Sequence, residues 1–287
     1  MSTTTDTNGN NIVNNREADD IHQPNNVMLS KRMGVSIIRL NRPEKYNALT
    51  QQMYGQIITG LNDAATDESI KLALITGTGS YYSTGNDIGN FENMYKQTNG
   101  IDQFVDDTVR QFVAAFIDFP KPLIAAVNGP AIGAAATTLA LVDYAVASDT
   151  AYFSTPFSSL GLSAEGCSTY TFPQIMGQSM AKQMLYFSHK MSATEALQSG
   201  LVSRVIPSAQ FDDYIENWIF ADRTGIVNTC YPQSMRASKQ LVRSAAIRRV
   251  LHEVNRSECL ILKQRFNSDE CLEAIEKFFG RKKTTKK

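Results

Sequence analysis

Glu165 stands in the stretch SSLGLSAEGCSTYTFP (158–173), downstream of two glycine turns, STGND (83–87) and NGPAIGAA (128–135). One carboxylate and two sets of backbone N–H groups are the minimum equipment for taking a proton from the carbon beside a carbonyl and holding the resulting oxyanion. The first turn, within TGTGSYYSTGNDIGN (76–90), carries Gly77, Gly79, Gly85 and Gly89, which let a ligand approach backbone donors closely and make Asn86 a candidate donor. A glycine-rich connection with no ligand is the alternative. In the second, Asn128-Gly129-Pro130 turns the chain, and Gly133, Ala134, Ala135 and Ala136 open a helix whose first N–H groups have no partner of their own. Close packing of small residues against a sheet would also explain them. Neither turn is a nucleotide fingerprint, since a phosphate loop needs Lys and Ser/Thr after its last glycine and a dinucleotide site needs G-x-G-x-x-G opening a helix. The three histidines, His22, His189 and His252, fit no Ser/His/Asp or metal-ligand spacing, which leaves a carboxylate as the base. A solvated Glu in a polar turn is the competing reading of Glu165.

Short β-rich runs alternate with helical patterns around these segments. Val27–Ser30 and Val35–Leu40 read as a hairpin about Met33-Gly34, and Leu72–Thr76, Leu123–Val127 and Tyr144–Ala147 read as buried strands. Helical spacing predicts helices near 50–65, 102–118, 131–142, 179–187 and 193–199, then three more at 208–222, 232–244 and 246–279. The alternation predicts an α/β core followed by a helical C-terminal region. The expected organisation is a disordered leader (1–25), a core (26–206), a helical oligomerisation region (207–280) and a basic tail (281–287). Along the last region, Val250, Leu251, Val254, Leu260, Ile261 and Phe266 offer more apolar surface than one contact with the core would cover.

Composition excludes several classes of function. Lys plus Arg (28) equals Asp plus Glu (28), so no general attraction to nucleic acid or a membrane surface is expected. The four cysteines, Cys167, Cys230, Cys259 and Cys271, show neither C-x-x-C spacing nor a secretory context, so reduced thiols in an intracellular compartment are expected, with no metal site. No apolar run approaches the roughly 18–20 residues that span a bilayer.

NRPEKYNALT (41–50), ALITGTGSYYSTGNDI (73–88), KPLIAAVNGPAIGAAATTLALVDYAVAS (121–148), FSTPFSSLGLSAEGCSTYTFPQIMG (153–177) and ALQSGLVSRVIP (196–207) resemble, in order and spacing, successive blocks of the crotonase, or enoyl-CoA hydratase/isomerase, superfamily. The SAEG block followed by CSTYTFP is most similar to its peroxisomal Δ3,Δ2-enoyl-CoA isomerase branch. The resemblance implies a spiral of ββα turns with a helical C-terminal region, assembled as a homotrimer or hexamer. It implies an oxyanion hole from the N–H groups of Asn86 and Ala134, with Glu165 as the catalytic glutamate. It places Tyr46, Ala48, Thr84, Gly85, Asn86, Asp87, Ile88 and Gly133 along an acyl-CoA substrate and Lys239 near the CoA phosphates of its own or an adjacent subunit. No cofactor is implied beyond the CoA of the substrate. Thr137 and Phe157 occupy the positions of the two hydratase glutamates, so the expected reaction is conversion of 3-enoyl-CoA to trans-2-enoyl-CoA rather than hydration. Hydration, dienoyl-CoA isomerisation and a non-catalytic acyl-CoA-binding module are the alternatives. The branch suggests a peroxisome, with a mitochondrion as the alternative; the terminal TKK (285–287) departs from an S-K-L signal.

Overall fold

A computed structural model of the chain describes residues 26–284; the expected leader (1–25) and residues 285–287 of the basic tail lie outside the described residues. Val27–Arg32 (β1) pairs antiparallel with Val35–Leu40 (β2), and Gly34 at φ 82° closes the turn between them. Helix α1 (Gln51–Thr66) leads to β3 (Leu72–Gly77), and α2 (Ile88–Lys96), α3 (Gly100–Gln103), a π-helical stretch (Phe104–Val109) and α4 (Arg110–Asp118) lead to β4 (Leu123–Val127). Next come β5 (Ala131–Ile132), α5 (Ala134–Thr137), β6 (Tyr144–Ser148), β7 (Tyr152–Ser154), α6 (Ser168–Phe187), β8 (Lys190–Ser192), α7 (Ala193–Ser199) and β9 (Arg204–Ile206). The chain continues through α8 (Phe211–Phe220), α9 (Ile226–Thr229), α10 (Pro232–Val242), α11 (Ala245–Phe266) and α12 (Asp269–Thr284).

The large sheet runs β1-β2-β3-β4-β6-β9, parallel from β2 onward. Its central strands β3, β4 and β6 are buried on both faces, and their alternation divides the core: Leu72, Leu74, Ile124 and Ala126 pack with Phe211, Ile215 and Ile219 of α8, whereas Ala73, Ile75, Leu123 and Ala125 join the main core. Each turn of the chain then contributes a short second segment. Single bridges join Leu49 to Asn86 and Ser83 to Ala131, and β5, β7 and β8 extend the row into a small second sheet. This second layer lies beyond the C-terminal ends of the main strands, where connecting loops in parallel sheets hold ligands.

Helix α1 shows how the sequence secures one such turn. Thr50 caps it by accepting the Met53 N–H at 3.2 Å, and Met53, Tyr54, Ile57, Leu61 and Ala64 form its buried face. At its other end the buried ammonium of Lys121 donates to the carbonyls of Ala64 (2.7 Å) and Asp67 (2.6 Å), placing a cation at the negative end of the helix.

The helices differ from expectation at three places. The helix expected over 131–142 is interrupted: Ala131–Ile132 is pinned as a strand to Phe153 and Ser154, Gly133 turns at φ 57°, and only one α-helical turn follows before a 3₁₀ turn. The helix expected at 179–187 is present but is preceded by another: Ser168–Phe187 comprises two helical segments that meet at Gly177, whose φ 74° and ψ 162° are not helical, with Pro173 inside the first. The long C-terminal helix expected over 246–279 is two helices, broken at Asn267-Ser268, where the Ser268 hydroxyl accepts the Cys271 N–H. Of its apolar residues, Leu251 and Phe266 serve the chain's own core, while Val250, Leu260 and Ile261 remain exposed.

Candidate active site

The two glycine turns are locked together by side chains. Asn128 accepts the Gly77 N–H (2.9 Å) and donates to the carbonyls of Gly79 (2.7 Å) and Tyr81 (3.2 Å), so the second turn clamps the first. Gly129 makes this approach possible, because a Cβ there would lie 2.0 Å from the Ser80 carbonyl oxygen. The Ser83 hydroxyl donates to the Asn47 carbonyl (2.8 Å) and accepts the Gly85 N–H (3.0 Å). Leu49 makes both hydrogen bonds of its bridge, to Gly85 O and from Asp87 N–H, so the Asn86 N–H faces the opposite side of the chain. Ala134 begins α5, and its N–H is one of the donors that a first helical turn leaves without an internal partner. These turns touch: a Cβ on Gly85 would lie 3.5 Å from the Ala134 nitrogen.

Glu165 arrives from a different segment and docks on the same helical turn. Its Oε1 accepts a hydrogen bond from the Thr137 hydroxyl at 3.1 Å, and Thr137 belongs to the turn that Ala134 opens. A Cβ on Gly166 would collide with that hydroxyl at 2.3 Å, so glycine at this position allows the contact. Glu165 is only 5% exposed, and its Oε2 is buried with no partner among the described residues. An orphaned buried carboxyl oxygen is costly and marks a place where a proton or ligand belongs. Burial, then the nearby charge of Glu258, lifts the carboxyl from its ordinary 4.5 to about 8, against the opposing pull of the Thr137 hydrogen bond. A buried carboxyl with this proton affinity can both accept and return a proton near neutrality.

The remaining expected residues separate into two groups. Tyr46, Ala48, Thr84, Gly85, Asn86, Asp87, Ile88 and Gly133 gather at the junction: the Thr84 N–H donates to the Tyr46 carbonyl (3.1 Å), Arg42 donates to the Ala48 carbonyl (3.0 Å), and the Gly133 N–H donates to Ser154. Asp87 has structural duties there, pairing with Arg42 and capping α2 through the Gly89 N–H (2.7 Å), while Ile88 is the first residue of that helix. Lys239 is placed elsewhere. Its ammonium donates to the Lys121 carbonyl (2.7 Å) and pairs with Asp143 (2.7 Å), which accepts the Leu123 N–H at the start of β4, the opposite end of the sheet from the glycine turns. Lys239 is 8% exposed, and burial pulls its ammonium down to about 8. In this chain the ammonium is thus held by Asp143 and the Lys121 carbonyl, away from the glycine turns. Lys239→Met is expected to cost about 1–3 kcal/mol of stability by leaving Asp143 and the Lys121 carbonyl unpaired. The Michaelis constant for an acyl-CoA should stay unchanged; a several-fold rise with normal thermal stability would return Lys239 to the ligand.

Two contributors escaped the sequence reading. Thr137 was notable as the absence of a glutamate, yet its hydroxyl holds one oxygen of Glu165. Glu258 lies on α11 among Leu251, Asn255, Cys259, Leu262 and Phe266, and is 6% exposed. A carboxylate at core spacing on an amphipathic helix was the available signal.

The Enoyl-CoA hydratase/isomerase family model matches residues 30–286. The chain belongs to this family. Among curated members, it is 44% identical over 259 residues to rat (Rattus norvegicus) enoyl-CoA delta isomerase 2, covering 89% of this chain and 64% of that protein. The chain thus spans under two thirds of that relative's length. It is 41% identical over 272 residues to mouse (Mus musculus) enoyl-CoA delta isomerase 3, peroxisomal, covering 94% of this chain and 84% of the relative. Among solved members, an enoyl-CoA hydratase/isomerase from Pseudoalteromonas atlantica T6c superposes with a TM-score of 0.78 at 29% identity, covering 89% and 97% of the two chains. The crotonase fold expected from the sequence blocks is thereby established.

Proposed function

We propose that this chain is an enoyl-CoA isomerase that converts 3-enoyl-CoA to trans-2-enoyl-CoA, a step that unsaturated fatty acids require in β-oxidation. The observation that carries the reading is the junction of Glu165, with one oxygen held by Thr137 and the other unpartnered, and the helical turn opened by Ala134 beside Asn86. The similarity to delta isomerases supports it.

In this mechanism the N–H groups of Asn86 and Ala134 hold the thioester oxygen, and Glu165 Oε2 takes a proton from C2. The electron pair moves into the thioester to form a dienolate. The same carboxyl then gives its proton to C4, and the double bond comes to lie between C2 and C3. Each oxyanion donor contributes on the order of 3 kcal/mol to the transition state, and a positioned base contributes about 10²–10⁴ in rate. The reaction needs neither a metal nor a redox cofactor, and CoA enters with the substrate. Hydration would require a second carboxylate to manage water. Thr137 and Phe157 are not carboxylates, and both oxygens of Glu258 are occupied by protein donors.

The expected surroundings follow the family. The core carries the site, and the exposed Leu241, Val242, Leu260 and Ile261 of the helical region lie at contacts of a homotrimer or a pair of trimers. A peroxisome is favoured by the similarity to the peroxisomal isomerase, with a mitochondrion as the alternative. Among the described residues no helix is long and apolar enough to cross a membrane.

The test compares kcat/KM for 3-enoyl-CoA isomerisation with that for hydration of trans-2-enoyl-CoA on one preparation. Isomerisation is expected to be faster by at least about 10²-fold, the contribution of a missing acid–base partner. Equal or greater hydratase efficiency would overturn the assignment, and absence of turnover on either substrate would favour a binding module.

A further inference from the structure

Helix α6 begins without a cap of its own. Cys167, at its N-terminal boundary, adopts a left-handed conformation (φ 60°) and caps no helix N–H through its side chain, and Gly166 before it is also left-handed (φ 73°). The missing cap arrives from α11. Glu258 Oε2 accepts the Cys167 N–H at 2.7 Å, and Oε1 accepts both the Thr169 N–H at 3.0 Å and the Thr169 hydroxyl at 2.6 Å. Helix starts favour a carboxylate, and a local Ser, Thr, Asp or Asn ordinarily supplies the cap. Cys167 Sγ adds a further tie to α11 through the Leu251 carbonyl at 3.3 Å. The turn so held is the one that carries Glu165, whose own carbonyl accepts from the Ser168 hydroxyl at 2.7 Å.

We propose that Glu258 is a positioning residue for Glu165: it fixes the turn that carries the base from a helix outside the glycine-turn framework. This rests on the reading of Glu165 as the base. A cap supplied by a carboxylate also places a negative charge beside a second buried carboxyl. The titratable groups facing Glu165 are Glu258 and Cys259 from α11, Tyr54 from α1 and Cys167 from its own turn, while Thr137 of α5 donates the hydrogen bond. Glu258 receives three hydrogen bonds and would lose an acceptor on protonation, whereas Glu165 has a free oxygen. The charge therefore settles on Glu258 and the proton on Glu165. Like-charge repulsion makes Glu165 a stronger base than burial alone would, and better able to take a proton from carbon.

The experiment compares pH profiles of kcat and kcat/KM for wild type, Glu258→Gln and Glu258→Asp with 3-enoyl-CoA. Glu258→Gln removes the charge and spoils one acceptor. Its acidic limb is expected to move to lower pH by at least about half a unit, with a plateau kcat about 10-fold or more below wild type and little change in KM. Glu258→Asp keeps the charge and should keep the position of the limb. A folded Glu258→Gln with wild-type kcat and an unmoved limb overturns the proposal. A ¹³C-carboxyl NMR titration of wild type, assigned with Glu165→Gln, needs neither a stable Glu258 variant nor turnover. Glu165 holding its proton to higher pH than Glu258 supports the proposal, and the reverse order overturns it. This readout also separates the charge relation from the substrate assignment, because the order of titration stands whether or not 3-enoyl-CoA is converted.

Discussion

Glu165→Gln is expected to lower isomerase turnover by at least about 10²-fold while the fold and binding of CoA thioesters persist. The amide preserves the shape and can still accept from Thr137, but it cannot remove a carbon-bound proton. Wild-type kcat/KM should rise with pH through about 8, the region in which Glu165 loses its proton. The effect on stability has the opposite sign. An ordinary carboxyl ionises near 4.5, so between that value and about 8 the folded state holds a proton that the unfolded state has released. Folding stability attributable to this group is therefore greatest below pH 4.5 and declines as pH rises through the window, by at most about 1.4 kcal/mol per pH unit. Glu165→Gln removes that dependence, so its melting temperature relative to wild type should be higher at pH 8 than at pH 5. Near-normal turnover in the variant would place the base elsewhere, and a pH-independent difference in melting temperature would contradict the buried, protonated carboxyl.

Gly85→Ala is expected to cost about 10²–10³ in kcat, comparable to loss of an oxyanion donor. The new Cβ would sit 2.4 Å from the Ile132 carbonyl oxygen, and Gly85 has φ 76°, a conformation that side chains disfavour. Neither atom can yield alone, since Ile132 is held to Ser83 and Gly85 to Leu49. The two turns must separate, and with them the N–H groups of Asn86 and Ala134. Gly55→Ala provides the contrast: this exposed position in α1 has no atom within 4 Å of an added Cβ, so the change should stabilise the fold by about 0.5–1 kcal/mol without altering activity. Equal kinetics for Gly85→Ala and wild type would show that the donors are not those assigned.

What the sequence disclosed and what it withheld divide along physical lines. The strands Leu72–Gly77 and Leu123–Val127 were legible because a strand buried on both faces is an unbroken apolar run between turns. The short strands Tyr152–Ser154, Lys190–Ser192 and Arg204–Ile206 were not, because three residues are too few to show a period. The first segment of α6 was hidden by Pro173, a breaker that the fold accommodates within it, and by Gly177, where the helix does break. Glycine spacing disclosed both turns, and the residues around Glu165 marked it as the carboxylate of interest. Its burial could not be read from a polar Ser-Ala-Glu-Gly turn, because the groups that cover it come from α5 and α11. Lys239 shows the converse: the family resemblance suggested a phosphate, and only the fold sets it against Asp143.

The Asn128 clamp carries a consequence for how the protein folds. Asn86 and Ala134 lie on successive turns of the spiral, and Asn128 fastens those turns by hydrogen bonds formed only once both strands are in the sheet. Glu165 joins from a third segment, and its Glu258 partner from a fourth. Each closure joins residues distant in the chain, the class of contact whose loop entropy delays folding. No single segment can host the proposed chemistry in isolation, so the proposed oxyanion donors and base meet only in a chain whose four segments have all docked.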